Sequence, residues 1–318
     1  MIYLSAQPDN IYFHWQLEVQ FLNFKDLGIP LSSYHVLVGI KEQTSNEFLE
    51  LEKKYPEVKF SFIKDTREKR RYIPSIRPHI ISKYFTLHPE LSQEQIFYFD
   101  ADVIFREKLD FDKFGTKQDF VSDTDSYLGV NYITSKGGEK MLEEMCNLLK
   151  VDRDKIRQIR KHGGAQYFFQ PGLTSEFWRK IEYDCSELYN YLQNSCHIYA
   201  QWWSQKHSKP IDDYHEIQSW CADMWCVLWN LVYVNREVRV HDELKFSWAT
   251  STAEEYHQLK IFHNAGVTDE KKNKLFYKGQ YIKGLPNSID LSYISDKTAS
   301  FYYSKYVQRL VEEKKEKN

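Results

Sequence analysis

The feature that most restricts this chain is an alternation of hydrophobic periods near its N-terminus. IYLSA (2–6), HVLVGI (35–40) and VKFSFI (58–63) are short apolar runs of strand length. Between them, 11–27 and SNEFLELEKKY (45–55) repeat apolar residues at helical spacing. Gln7-Pro8-Asp9 takes the first strand into a loop, and Gly28-Ile29-Pro30 stops the first helix. Strand and helix in strict turn predict an α/β fold with a mostly parallel central sheet flanked by helices. The pattern continues with a helix over IRPHIISKYFTLHPEL (76–91) and a very apolar strand, QIFYFDADVIF (95–105), broken by two aspartates. KQDFVSD (117–123) reads as another strand, roughly 138–149 as a helix, and the basic stretch 151–161 as a surface helix. Farther on the alternation loosens, and antiparallel pieces are expected.

No repeat, linker or low-complexity stretch divides the 318 residues, so one domain is expected, 1–318. Its parts run from about 1 to 135, from 136 to 285, and through a helical tail at 286–318. Lysines and arginines number 43 against 45 acidic residues, so no global charge advertises nucleic acid or an anionic membrane. KDTREKRR (64–71) and 151–161 are local basic stretches, read as solvated charge or as a footing for a polyanion. VEEKKEKN (311–318) reads as a fraying helix end. Five scattered cysteines without a CxxC pair suit a reducing compartment. MIYLSAQPDN lacks the charged and apolar regions of a signal peptide, and no apolar run is long enough to span a membrane, so a cytoplasmic protein is expected.

The strongest chemical signal is Asp100-Ala101-Asp102 at the end of the apolar strand. Two carboxylates beside such a run are costly unless a cation neutralises them. The carboxyl ends of strands in an open α/β sheet are also where ligands sit. A hard divalent ion held by carboxylate oxygens, with positions open for a diphosphate, satisfies both conditions. A strand-ending turn is the plainer alternative.

IFHNAG (261–266) delivers an imidazole, His263, into a loop, where it is a suitable third ligand to a Mn-type ion. A hydrogen-bonded structural histidine is the alternative. In HGGAQYFFQPG (162–172), Gly163 and Gly164 let backbone approach a ligand, and Gln166 has donors and acceptors for sugar hydroxyls. An ordinary Gly-Gly turn before a strand would look the same. In IQSWCADMWCVLWNL (217–231), Trp220, Met224, Trp225, Leu228 and Trp229 fall at helical spacing as core, and Asp223 among them needs a partner. That partner is either internal or a substrate hydroxyl. Arg77 and Lys83 precede the aspartate strand and are placed to reach a diphosphate or to form surface salt bridges. Gln7 and Asp65 end the first and third strands, positions suited to base and ribose contacts.

IFYFDADVIF resembles the metal-binding strand of GT-A glycosyltransferases, and the glycogenin-like members share its Asp-Ala-Asp. His263 and Gly266 resemble the late H-x-x-G element of that fold. HGGAQ and W-x-A-[DE]-M-W are similar to segments of the hydroxyproline O-arabinosyltransferase and peptidyl-serine α-galactosyltransferase group. The resemblance runs in fragments from about 60 to 285. It implies a Rossmann-like nucleotide-diphospho-sugar transferase with a nucleotide-binding first half and an acceptor-side second half. Asp100, Asp102 and His263 would hold Mn²⁺ or Mg²⁺, and Gly163, Gly164 and Gln166 would line the donor-sugar pocket. Asp123, with Asn131 in a similar part, would touch the donor sugar, and Asp223 would orient the acceptor or stabilise oxocarbenium character. The glycogenin-like Lys-Pro-Trp has only Lys278, in LFYKGQY, as its counterpart for a diphosphate contact.

These implications amount to transfer of a hexosyl or pentosyl unit from a nucleotide sugar, most simply a UDP-sugar, to a hydroxyl acceptor with retention. The acceptor class is open among protein, glycan, lipid, small molecule and hydroxymethylated DNA base, and the oligomeric state is unread. Two rival readings remain: a metal-dependent phosphohydrolase or nucleotidyltransferase, and a non-catalytic sugar-binding module. The first lacks the D-x-D-x-T/V sequel after Asp100, and the second leaves the intact acidic pair unexplained.

Overall fold

Local sequence starts and stops most elements where the periods predict. In the computed structural model, which describes residues 1–315, strand β1 (Ile2–Pro8) leads into helix α1 (Ile11–Asp26). Asn10 caps α1 by accepting from the Tyr12 amide, and Gly28, at φ +62°, turns the chain beyond its end. β2 (Tyr34–Ile40), α2 (Asn46–Lys54), β3 (Lys59–Lys64) and α3 (Ile76–Leu87) follow. The aspartate strand divides into β4 (Ile96–Tyr98) and β5 (Val103–Phe105). Then come β6 (Asp119–Asp123), α4 (Asp125–Leu128), α5 (Val130–Leu149), α6 (Arg153–Gln158) and β7 (Gly163–Phe169). The chain continues through α7 (Ser175–His207), α8 (Ala222–Tyr233), β8 (Val238–Val240), β9 (Phe246–Trp248), α9 (Ala253–Gln258), β10 (Ile261–His263) and α10 (Ala299–Lys315). The end of VEEKKEKN, expected to fray, lies outside the described residues.

The fold is mixed α/β: a seven-stranded sheet in the order β3-β2-β1-β4-β7-β6-β8, flanked by helices, and a three-stranded sheet in the order β5-β10-β9. Contacts group the chain into two units that interleave along the sequence. The first holds Met1–Lys64, Tyr98–Phe114 and the chain from Asp242 onward, and the second Asp65–Phe97 and Gly115–His241. β5 takes its sheet partner from the late segment β10, so the first unit draws on both early and late parts of the chain.

In the first unit, β1 and β3 both pair with β2 in parallel, as the alternation predicts. Residues 14–24 of α1 are all buried, polar ones included, so this helix is core on every side. Aromatic rings tie it to the strands: Phe24 of α1 stacks at 5.2 Å on Tyr34 of β2 and 5.4 Å on Phe105 of β5, and Tyr34 in turn stacks at 5.5 Å on Phe99. Each such buried ring contributes about 1.5–3 kcal/mol. A second cluster joins Trp15 and Val19 of α1 to Phe262 of β10, Phe276, and Tyr303 and Val307 of α10.

In the second unit, β6 pairs with β7 antiparallel and with β8 in parallel. α5 merges two helices across a kink at Gly138 (φ +69°), so the helix expected at about 138–149 is its second half. α7 runs for 33 residues, a length the loosened second half did not announce. Trp220 departs from the expected core stripe: it precedes α8 and is 58 % exposed. Among the described residues, no helix is long and apolar enough to cross a membrane.

Candidate metal centre

The two aspartates lie in the turn between β4 and β5, and the ladder that brings histidine to them is short. β10 runs antiparallel to β5 with His263 opposite Val103, the residue after Asp102. The Asn264 amide extends the pairing by donating to the Asp102 carbonyl at 3.0 Å. His263 Nε2 then stands 3.2 Å from Asp102 Oδ1 and 3.8 Å from Asp100 Oδ2. One ligand atom from each of Asp100, Asp102 and His263 lies within 4.8 Å of the others. On its far side β10 pairs with β9, His263 opposite Trp248, whose ring stacks on the imidazole at 6.0 Å and 11°.

Buried amides of α1 hold the turn in place. Gln20 donates to the Asp100 carbonyl at 2.7 Å and itself accepts from the Tyr34 hydroxyl. One turn on, Asn23 grips Phe105 twice, donating to its carbonyl (2.7 Å) and accepting from its amide (2.8 Å). Polar residues on an otherwise apolar helix were the available signal for this role, and sequence reading passed over them.

Lys278 also arrives here, from a 3₁₀ turn at Lys278–Tyr281, and its ammonium donates to Asp102 Oδ2. Burial opposes charge on the Asp102 carboxyl, yet Lys278 and His263 outweigh it and hold it well below the usual carboxylate range. Burial likewise opposes the charge on Lys278, but Asp102, then Tyr12 and Asp100, keep it protonated well above its ordinary range. The Tyr12 hydroxyl, another contact absent from the sequence reading, lies against this ammonium.

The donor set fits a divalent ion. Two carboxylates and one imidazole supply hard oxygen and borderline nitrogen, the chemistry of Mn²⁺ and Mg²⁺ sites. Asp100, a third exposed, leaves the cluster one open side.

The remaining first-unit candidate, Gln7, is buried and engaged: its oxygen accepts from Ser5 and its amide donates to the Leu37 carbonyl, both at 2.8 Å.

The second unit holds the others in separate groups. Asp223 accepts from the Tyr72 hydroxyl at 2.7 Å and pairs with Arg77 at 2.8 Å, so both side chains already have a partner within the unit. Asp65 grips Arg67 through both oxygens, at 3.0 Å each. Lys83 donates to the Thr66 hydroxyl at 2.6 Å, and burial lowers its pKa. Asp123, ending β6, pairs with Lys161, while Asn131 sits in the first turn of α5.

The paired glycines are not a turn. They lie inside β7, opposite Asp123 and Ser122, where the ladder shifts register and Ala165 takes φ +67°. A Cβ on Gly163 would come within 2.3 Å of the Ser122 carbonyl oxygen, so close strand approach requires glycine there. Gln166 is fully buried and accepts from the Ser122 hydroxyl.

No protein-family model matches the chain, and no curated protein matches it in sequence. Solved glycosyltransferase structures align with it. The apo bifunctional glycosyltransferase WbbM does so at a TM-score of 0.46 and 10% identity, over 84% of this chain and 46% of that one. The chain thus spans about half of that protein's length. An active-site mutant of LgtC aligns at 0.42 and 11% identity, over 84% of this chain and 88% of its own. The galactosyltransferase LgtC, in complex with donor and acceptor sugar analogues, aligns at 0.39 and 13%, over 84% and 87%. At these scores the functional reading rests on the chemistry of the site itself.

Proposed function

We propose that this chain is a GT-A glycosyltransferase, acting as one domain, that moves a sugar from a UDP-sugar to an acceptor hydroxyl with retention. The observation that carries the reading is the convergence of Asp100, Asp102 and His263, three potential ligands from segments about 160 residues apart in sequence. A bound Mn²⁺ or Mg²⁺ supplies Lewis-acid stabilisation of the charge that gathers on a departing nucleoside diphosphate. Asp100, Asp102 and His263 hold that ion in this reading. Lys278, already at the same carboxylate, is assigned to the diphosphate oxygens.

Asp123, Gly163, Gly164 and Gln166 are assigned to the donor sugar, and Asp223 to the acceptor, held in orientation by Tyr72 and Arg77. Gln7 and Asp65 are assigned to base and ribose, and Arg77 and Lys83 to the diphosphate. For Gln7, Asp65, Arg77 and Lys83 these roles require sharing or exchanging the hydrogen bonds they already make. The resemblance of HGGAQ and W-x-A-[DE]-M-W to segments of the arabinosyl and galactosyl group favours that group among such enzymes. Five free cysteines support a cytoplasmic location.

The test is a panel of UDP-hexoses and UDP-pentoses, scored for diphosphate release and for sugar transfer with Mn²⁺, with Mg²⁺ and with EDTA. Metal-dependent turnover of a sugar nucleotide is the expected result. Cleavage of nucleotides or phosphoesters without sugar transfer would make the chain a phosphohydrolase, and tight donor binding without turnover would make it a binding module. Either would overturn the proposal.

A further inference from the structure

The second unit carries a cleft that the proposed transfer does not use. It encloses about 990 Å³ between α6 with the loop after it and the edge strand β8. Lys155, Arg160, Lys161, Arg236 and Arg239 line it against one acid, Glu237. Asp123 neutralises Lys161, Asp119 neutralises Arg236 and Glu237 neutralises Arg239. Among the described residues, Lys155 bonds only to the Asn235 amide oxygen and Arg160 has no carboxylate partner. The cleft therefore holds a surplus of two positive charges.

Its second property is backbone. β8 stands last in the strand order and, among the described residues, pairs with β6 alone. Glu237 accepts from the Asp119 amide, and the His241 amide donates to the Val121 carbonyl. In a parallel ladder this phase also turns Arg239 toward β6 and leaves the N–H and C=O groups of Val238 and Val240 facing away from it. Both valines line the cleft, with Ile159 and Val232 adding apolar floor. A row of outward donors and acceptors is what an added strand pairs with. Among the described residues, no aromatic side chain lines the cleft, so they offer no platform for stacking nucleic-acid bases.

We propose that this cleft is a docking site for an extended acidic peptide segment, which adds to the free edge of β8 and sets its carboxylates against Lys155 and Arg160. The backbone ladder supplies affinity, and the surplus charge selects the sign of the partner. The cleft lies wholly within the second unit and is independent of the metal centre reading.

The experiment is fluorescence anisotropy of the full chain with a fluorescein-labelled peptide alternating glutamate and valine. Three competitors are titrated beside it: a lysine-valine peptide, the glutamate-valine peptide with proline at alternate valines, and a single-stranded oligothymidylate. Binding of the glutamate-valine peptide is expected, about 10-fold or more tighter than either peptide competitor and weakening as salt rises. Arg160→Glu with Lys155→Glu is expected to abolish it. Val240→Pro, which removes an outward amide and no bond to β6, is expected to weaken it about 10-fold, with unchanged melting reporting an intact fold. Equal binding of the proline-bearing peptide, preference for the oligonucleotide, or no binding of the glutamate-valine peptide would each overturn the proposal.

Discussion

Lys278 and Asp102, 176 residues apart, form an ion pair inside the cluster that also holds Asp100 and His263. The ammonium takes one oxygen of Asp102 while the imidazole stands beside the other. A cation is thus built into the place where a second cation is proposed to bind, and the lysine must compete with the ion or yield to it.

Lys278→Met removes that competition. The donor-free protein is expected to bind Mn²⁺ about 10-fold more tightly, since a unit charge a few ångströms from the site costs more than 1.4 kcal/mol at the effective dielectric of a protein. Its metal-free melting temperature is expected to fall, because a buried carboxylate loses its partner, and to recover when Mn²⁺ is added. Electron paramagnetic resonance titration and thermal melting check both.

The depressed Asp102 carboxyl sets a pH signature in metal-free buffer. Its folded pKa lies below the unfolded value, so the unfolded chain takes up the proton first as acid is added. The stability it contributes is fully present above the ordinary carboxylate range, about pH 4, and is lost as pH falls through the folded value. Asp102→Asn is expected to flatten the acid limb of a plot of stability against pH, which urea unfolding at stepped pH would show.

Asn23→Ala tests the clamp on the aspartate turn. It leaves the Phe105 amide and carbonyl without their side-chain partner in a buried setting, at about 1–3 kcal/mol for each lost partner. Stability and Mn²⁺ affinity are both expected to drop, although Asn23 is no ligand. Unchanged metal affinity would free the turn from its dependence on α1.

Gly163 and Gly164 separate packing from ligand approach. Gly163→Ala drives a Cβ into the Ser122 carbonyl oxygen at 2.3 Å, whereas Gly164→Ala meets only side-chain ends, the Met224 methyl at 2.8 Å and the Tyr167 hydroxyl at 2.9 Å. The first is expected to cost about 2 kcal/mol or more and the second less, as overpacking against backbone at 2.3 Å exceeds overpacking against side-chain ends at 2.8–2.9 Å. Chemical denaturation of both variants measures the difference.

The legible parts of the sequence were those whose signal is local. Strands β1, β2 and β3 and helices α1 and α2 follow from apolar period and caps, and the Asp-Ala-Asp turn announced itself by acids against an apolar run. His263 was legible as chemistry, but its place beside Asp102 depends on a three-residue ladder between β5 and β10, a pairing that no period encodes. Gln20 and Asn23 were missed because a buried amide looks the same in sequence as a solvated one until its carbonyl partner is known. The paired glycines show a related limit: Gly-Gly before an apolar strand is also compatible with a turn, and only the approach of β6 excludes that alternative. Asp223 was read as needing a partner, and tertiary structure supplied Tyr72 and Arg77 from within the unit.

The most direct test of the account is Mn²⁺ binding by the full chain, measured by electron paramagnetic resonance in the presence of UDP, for the wild type, Asp102→Asn and His263→Ala. The account predicts one ion per wild-type chain and affinity weakened about 100-fold or more in both variants, since loss of a direct ligand exceeds the 10–100-fold typical of supporting groups. Equal binding by all three proteins, with folds intact, would contradict it.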